Sequence, residues 1–339
     1  MKPLVSILIP AYNAQHWIAS SIESAIGQSW PRKEIIVVDD GSTDETLAVA
    51  RRFASKEVLV TTQTNQGAAA ARNKALALSQ GDYIQWLDAD DLLSKGKVEH
   101  QMRRALLTND PRLLLSSPWA PFRFRPAKAK FIPTPLWHDL APTEWLVRKW
   151  EGNWHMQTAT WLVSRELTEA AGPWDTRLLG DDDGEYFCRV INASREIAFV
   201  PQSRVYYRIM PSSRLSCIDK SNKKMEAHWL GMKLQIGYVR AREDSPRVRA
   251  ACISYLQTWL PVFYPDRPDL VQEARQLAES LGGLLSLPHA SWKYACIERL
   301  FGFAAAKQAQ LYYNRGKASL LRMWDWMLYS FKRESGLPI

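Results

Sequence analysis

The chain has 339 residues, 46% hydrophobic and 23% charged, the composition of a folded globular protein rather than a disordered or fibrous one. Its net charge of +9 is uneven: residues 1–200 carry 23 Lys/Arg against 24 Asp/Glu, and residues 201–339 carry 21 against 11. The four cysteines stand far apart with no C-x-x-C pair, which argues against a zinc site and fits a reduced, cytoplasmic compartment. No apolar run approaches the ~20 residues of a membrane-spanning helix, and the first residues lead straight into a short strand, so no leader peptide is expected.

In chain order, "PLVSILIP" (3–10) reads as a buried strand, and residues 14–28 as a helix with apolar positions 17, 18, 22, 25 and 26. "EIIVVDD" (34–40) is a second strand, followed by "GSTDETLAVARRF", a turn and helix capped by Ser42 or Thr43. A third strand (58–63), a helix (68–79) and a fourth strand, "YIQWL" (83–87), complete β-α-β-α-β-α-β. This alternation predicts a parallel sheet with helices on both faces and a ligand site beyond the carboxyl ends of the strands. Residues 95–108 read as a helix, 118–135 as a long loop or irregular strands, 158–164 as a strand, and 183–191 as a helix. From 220 onward the chain reads as mostly helical and as a separate unit.

The strand ends carry Asp39-Asp40-Gly41-Ser42 and Asp88-Ala89-Asp90-Asp91, with Pro10-Ala11-Tyr12-Asn13 and Asn65-Gln66-Gly67 beside them. Five carboxylates at one sheet edge repel one another unless a cation sits among them. Hard ions such as Mg²⁺ or Mn²⁺ suit oxygen ligands and complete their shells with substrate phosphates. The bland reading of D-x-D is an Asx turn that ends a strand. Neither the G-x-G-x-x-G nor the G-x-x-x-x-G-K-[ST] phosphate loop is present.

"SILIPAYN", "QSWPRKEIIVVDDGSTDET" and "NQGAAAARNKALALSQGDYIQWLDADD", in this order over the first ~95 residues, closely resemble the N-terminal domain of the family 2 inverting glycosyltransferases. "GPWDTRLLGDDDGEYFCRV" (172–190) resembles that family's acceptor-side segment. The resemblance implies a GT-A fold: an α/β domain over residues 1–218, with a nucleotide-binding half (1–95) and an acceptor-side half (96–218), then a basic helical region (219–339). It implies that Pro10, Tyr12 and Asn13 line the nucleotide, with the Tyr12 ring on the base. Asp40 would accept a hydrogen bond from the base and Asp39 would hold the loop. Arg72, a turn past Gly67, would face the diphosphate or the base pocket. Asp88 would contact the ribose or donor sugar, Asp90 would bind the metal, and Asp91 would support it.

The general base would come from "GDDDGEYFCR". Counting from Arg189 gives Asp183, with Asp182 as its rival where the family has Glu. Neighbouring acids raise a carboxyl pKa by like-charge repulsion, as a base requires; an acidic helix N-terminus is the structural alternative. Trp119, Trp137, Trp150, Trp154, Trp161 and Trp174 lie between the two acidic blocks. Most tryptophans are core, but Trp161 and His155 are the candidates for acceptor or donor contact. Arg208 or Arg214 would close over the diphosphate; Met210 stands where the family often has His.

"KASLLRMWDWMLYSFKR" (317–333) places Leu320, Trp324, Leu328 and Phe331 on one helical face, as in an interfacial helix or one packed on its own domain. The expected function is therefore a metal-dependent transferase of a single hexosyl or hexosaminyl group. Its donor would be a nucleotide sugar, UDP-linked first. Its acceptor would be a saccharide or lipid-linked saccharide at the inner face of a membrane, with peripheral contact to an anionic surface. Q-x-x-R-W, a mark of processive synthases, is absent. The rivals are a sugar-phosphate nucleotidyltransferase, whose Gly-rich first loop with lysine is missing at 10–13, and a basic nucleic-acid-binding protein. Acidic strand ends argue against the latter, and no nucleic-acid partner is expected.

Overall fold

The computed structural model describes residues 2–209 and 221–334. The main sheet is built from β1 (Val5–Ala11), β2 (Lys33–Asp39), β3 (Val58–Thr62), β4 (Tyr83–Trp86) and, much later in the chain, a short edge strand at Val163–Ser164; the spatial order is β3-β2-β1-β4-edge. The first four strands are parallel and the edge strand is antiparallel to β4. The chain reverses its direction of strand addition at β1, and the crevice between β1 and β4 is the switch point where such sheets bind ligands.

The alternation of strand side chains divides the core in two. Val5, Ile7 and Ile9 face α1 (Ile18–Ile26), whose Ile18, Ile22 and Ala25 are buried, while Leu8, Ile36, Val38, Ile84 and Trp86 face the other side. There α3 (Ala68–Leu78) packs Ala69, Ala71 and Ala75 against the sheet; small side chains let its backbone approach closely. The helix α2 (Thr46–Arg51) joins β2 to β3.

Two smaller sheets follow. The first joins β5 (Leu92–Leu93), β7 (Trp119–Phe122) and β10 (Val205–Arg208), and the second joins β6 (Leu113–Ser116) and β9 (Glu196–Phe199), with the edge strand of the main sheet counted as β8. The stretch 158–164 is only partly strand: Thr158–Thr160 is a 3₁₀ turn before β8. Helices α4 (Lys97–Thr108), α5 (Pro142–Glu151), α6 (Arg165–Ala171) and α7 (Asp182–Ala193) complete this part.

Next come α8 (Asn222–Arg242), α9 (Pro246–Phe263) and α10 (Pro268–Ser280). Trp229, Met232, Leu256 and Phe263 lie in the same apolar cluster as Trp86, Trp174 and Tyr186, so these helices share a core with the sheet. The expected boundary at 218/219 lies outside the described residues. Helix α11 (Ala295–Glu334) is broken at Gly302, where φ is 81°. No helix among the described residues is long and apolar enough to cross a membrane.

Candidate active site

The loops after β1, β2 and β3 are sewn together by their own polar groups. Asn13, in the left-handed region at φ 48°, receives Thr43 N–H on Oδ1 (2.9 Å) and donates its own N–H to Ser42 Oγ (3.0 Å). Gly41 also has positive φ (69°), and a Cβ there would stand 2.8 Å from Asn65 N, so only glycine fits. Tyr12 projects from this platform with 48% of its surface exposed, suited to stacking on a planar base.

Asp39 and Asp40 are both buried. Asp40 accepts from Gln63 Nε2 (2.7 Å), Gln66 N (3.0 Å) and Gly67 N (2.8 Å), so it is the residue that fixes the loop after β3. Asp39 accepts from Thr62 Oγ1 (2.8 Å) and Ser42 N (3.3 Å) on Oδ2, while its Oδ1 is buried without a partner among the described residues. Asp40 thus ties down the loop after β3, and Asp39 keeps one carboxylate oxygen without a protein donor among the described residues.

Arg72 joins the two halves of the site. It is 7% exposed and donates to Asp88 Oδ1 (3.0 Å), at the end of β4, and to Asp182 Oδ2 (2.6 Å), at the start of α7. Its guanidinium lies 4.4 Å over the Trp174 ring, which stacks on Tyr186 at 4.0 Å. Next to it, Asn73 exchanges two hydrogen bonds with the Trp174 backbone (2.8 and 2.9 Å). Rather than facing a diphosphate or base pocket, Arg72 has its guanidinium taken up by two carboxylates. Burial raises the Asp182 pKa, with Arg72 opposing and the Asp183 and Asp88 charges adding to the rise.

Asp183 accepts a longer hydrogen bond from Thr158 Oγ1 (3.3 Å). Asp181, with φ 53°, folds its side chain beneath α8, where Gln235 Nε2 is 3.4 Å away and His228 Nδ1 3.9 Å. Desolvation, then the Asp183 charge, raises Asp181 to about 7. Burial drops His228 to about 4, so its ring is neutral there and the contact is not an ion pair at neutral pH. Gly184 makes room for this fold: a Cβ would lie 2.5 Å from Asp181 Oδ1. Asp181, Thr158 and Trp174 were not among the expected site residues; the glycine three positions after Asp181 was the available signal.

Asp91 is buried and supports the turn. It accepts from Gln157 Nε2 (2.5 Å) and from Arg208 N (2.8 Å). Arg208, 4% exposed, donates Nε to Asp90 O (2.8 Å) and Nη1 to Arg123 O (2.8 Å), and its guanidinium lies 4.2 Å over Trp17. It therefore positions the 88–91 turn from behind, in place of the expected closure over a diphosphate. Arg214 and Met210 lie outside the described residues. Trp161 is 1% exposed and packs between Trp145 and Phe187, so it belongs to the core and not to a sugar surface. His155 is exposed, edge-on to Trp119 at 5.2 Å. Pro10 is half-buried at the end of β1, and Gly67 (φ 90°) opens α3.

Asp39, Asp40, Asp88 and Asp91 accept from protein donors and Asp90 has a partner too, so repulsion among five carboxylates does not by itself call for a cation. Among the described residues no group of three or more His, Cys, Asp or Glu could enclose a metal. Half-buried Asp90 nonetheless fits an ion of the Mg²⁺ type, which takes one or two protein carboxylates and fills the rest of its shell with phosphate and water.

The family model for glycosyl transferase family 2 matches residues 6–113. The matched segment, about a third of the chain, is similar to the family 2 glycosyltransferases. The chain is 43% identical over 104 residues to the putative teichuronic acid biosynthesis glycosyltransferase TuaG of Bacillus subtilis, covering 30% of this chain and 41% of that protein. It is 40% identical over 107 residues to the UDP-Glc:alpha-D-GlcNAc-diphosphoundecaprenol beta-1,3-glucosyltransferase WfgD of Escherichia coli, covering 31% and 42%. The match thus spans about two fifths of the length of these relatives. The S. aureus TarS fragment 1–349 with UDP-GlcNAc superposes with a TM-score of 0.68 over 92% of both chains at 16% identity, which establishes the GT-A fold. The matched segment holds the loops after β1, β2 and β3, Arg72 and the 88–91 turn; the 181–183 acids lie beyond it.

Proposed function

We propose that this protein is a metal-assisted, inverting glycosyltransferase. It would move one hexosyl or hexosaminyl group from a UDP-linked donor to a saccharide or lipid-linked acceptor in cell-surface polysaccharide assembly. The observation that carries this reading is the Arg72 bridge, because it ties the strand-end turn of the matched segment to the acids of α7 at hydrogen-bond distance. The polysaccharide assignment takes support from TuaG and WfgD, and the UDP assignment from the UDP-GlcNAc held by TarS.

In this mechanism Tyr12 stacks on the base and Asp39 Oδ1 accepts its N–H. Asp88, held by Arg72, meets the donor sugar. A divalent ion held by Asp90 and the diphosphate would neutralise the charge that builds on the leaving group. Asp183 is the better base than Asp182, because Asp182 is committed to Arg72 while Asp183, among the described residues, accepts from a weakly donating hydroxyl at 3.3 Å. Asp183 removes the acceptor hydroxyl proton as that oxygen bonds to the anomeric carbon. The bond from that carbon to the diphosphate oxygen breaks on the opposite face, and its electron pair leaves with UDP. One displacement inverts the centre. No Q-x-x-R-W is present, consistent with single addition.

The test is a screen of UDP-sugars with Mn²⁺ for UDP release, followed by NMR of the product formed on an accepted sugar. An inverted anomeric centre is expected; a retained one rejects the mechanism.

A further inference from the structure

Helix α11 presents two unlike sides. At about 100° per residue, Trp326, Met323, Met327, Leu320 and Trp324 fall within an arc of about 160°, and all five are 46–64% exposed. Tyr312 and Tyr313 continue the same arc and are 70% and 62% exposed. Asp325 and Tyr329 lie on the opposite side. Asp325 accepts from Arg125 Nε (2.7 Å) and Phe124 N (3.1 Å), and Tyr329 stacks on Phe124 at 5.7 Å. The helix is therefore fixed by its polar side, with its apolar side turned to solvent. A soluble surface does not ordinarily expose a contiguous aromatic stripe of this kind.

Charge identifies what covers it. Residues 290–333 contain eight Lys/Arg and two Asp/Glu; Lys307 turns inward to the Pro261 and Tyr264 carbonyls, which leaves seven other basic residues. Both acids point inward: Asp325 to Arg125, and Glu298 to Ala290 N (2.9 Å) and His289. A second copy seated on this stripe would set one basic surface against another. An anionic bilayer complements it, and Trp and Tyr are the side chains that settle at the lipid–water boundary.

We propose that the outward side of α11, residues 311–327, docks on an anionic lipid surface. Of the residues expected on this side, Leu320 and Trp324 are exposed as a docking surface requires, whereas Leu328 is half-buried. The inward side has a second consequence. Loop 123–125 holds both Asp325 and, through Arg123 O, the Arg208 side chain that supports Asp90. The docked helix thus braces the turn that handles the donor.

Cosedimentation of the full chain with vesicles tests this. It uses phosphatidylcholine vesicles with or without phosphatidylglycerol and neither donor nor acceptor, so the outcome is independent of the proposed reaction. Wild type is expected to pellet with the anionic vesicles, less so as salt rises. Met323→Ser/Trp324→Ser/Trp326→Ser should reduce the bound fraction about tenfold or more with an unchanged melting temperature, since these side chains are exposed. A wild type that stays in the supernatant at low salt, or a triple variant that pellets equally, overturns the proposal. So does a wild-type dimer in sedimentation velocity that the triple variant abolishes while vesicle binding is absent.

Discussion

Replacing Arg72 with Met separates the structural part of the site from its chemistry. The side chain is 8% exposed and its partners Asp88 and Asp182 are 29% and 15% exposed. Removing one partner of a buried pair typically costs about 3–5 kcal/mol, because the remaining charge is left uncompensated, and loss of the Trp174 stack adds roughly 0.5–2 kcal/mol. Methionine keeps the apolar contact, so a net loss of ~3–4 kcal/mol is expected. The loss has a pH signature. Burial already raises Asp182 above its ordinary value, and without Arg72 it rises further. A carboxyl whose folded pKa is raised binds more protons folded than unfolded, so stability falls as pH rises from the unfolded value through the folded one. The difference between wild type and variant is therefore largest at neutral pH and shrinks towards pH ~4, near the ordinary Asp pKa. Urea denaturation at a series of pH values measures it. A loss below ~1 kcal/mol at neutral pH, the worth of an exposed pair, or a loss that does not change with pH, would refute the buried-bridge account.

Further outcomes follow from the same geometry. Asp183→Asn should lower kcat about 10²–10⁴-fold with the donor KM nearly unchanged, while Asp182→Asn should also lose stability, measured by steady-state kinetics beside thermal melts. Asp39→Asn should raise the donor KM by about tenfold, as one lost hydrogen bond to a base implies, and leave kcat close to wild type; an unchanged KM would return the base contact to Asp40. Gly184→Ala should destabilise by ~1–3 kcal/mol, because its Cβ would meet Asp181 Oδ1 at 2.5 Å, and Asp181→Ala in the same chain should relieve part of that loss.

The parallel sheet was legible because its strands are continuous apolar runs and its helices alternate with them, so strand ends could be named before any contact was known. The individual duties of the acids were not. Asp39 and Asp40 are adjacent and chemically identical, and only the donors around them, Thr62 against Gln63, Gln66 and Gly67, set them apart. Arg72 and Asp182 are 110 residues apart, a separation at which no local pattern reports a contact. By residue type Arg208 suits closure over a diphosphate, and nothing in "VYYRIM" reveals that β10 buries it against Trp17. Trp161 failed for the same reason: side-chain type suits sugar stacking and core packing equally, and burial decides.

Titrating UDP into the protein with and without Mn²⁺ by calorimetry, for wild type and Asp90→Ala, tests the central claim most directly. The account predicts that UDP binds wild type in the presence of Mn²⁺, that binding weakens sharply without the ion or in Asp90→Ala, and that the variant keeps the wild-type melting temperature. No binding of UDP under any condition, or equal binding by both proteins with and without Mn²⁺, would contradict it.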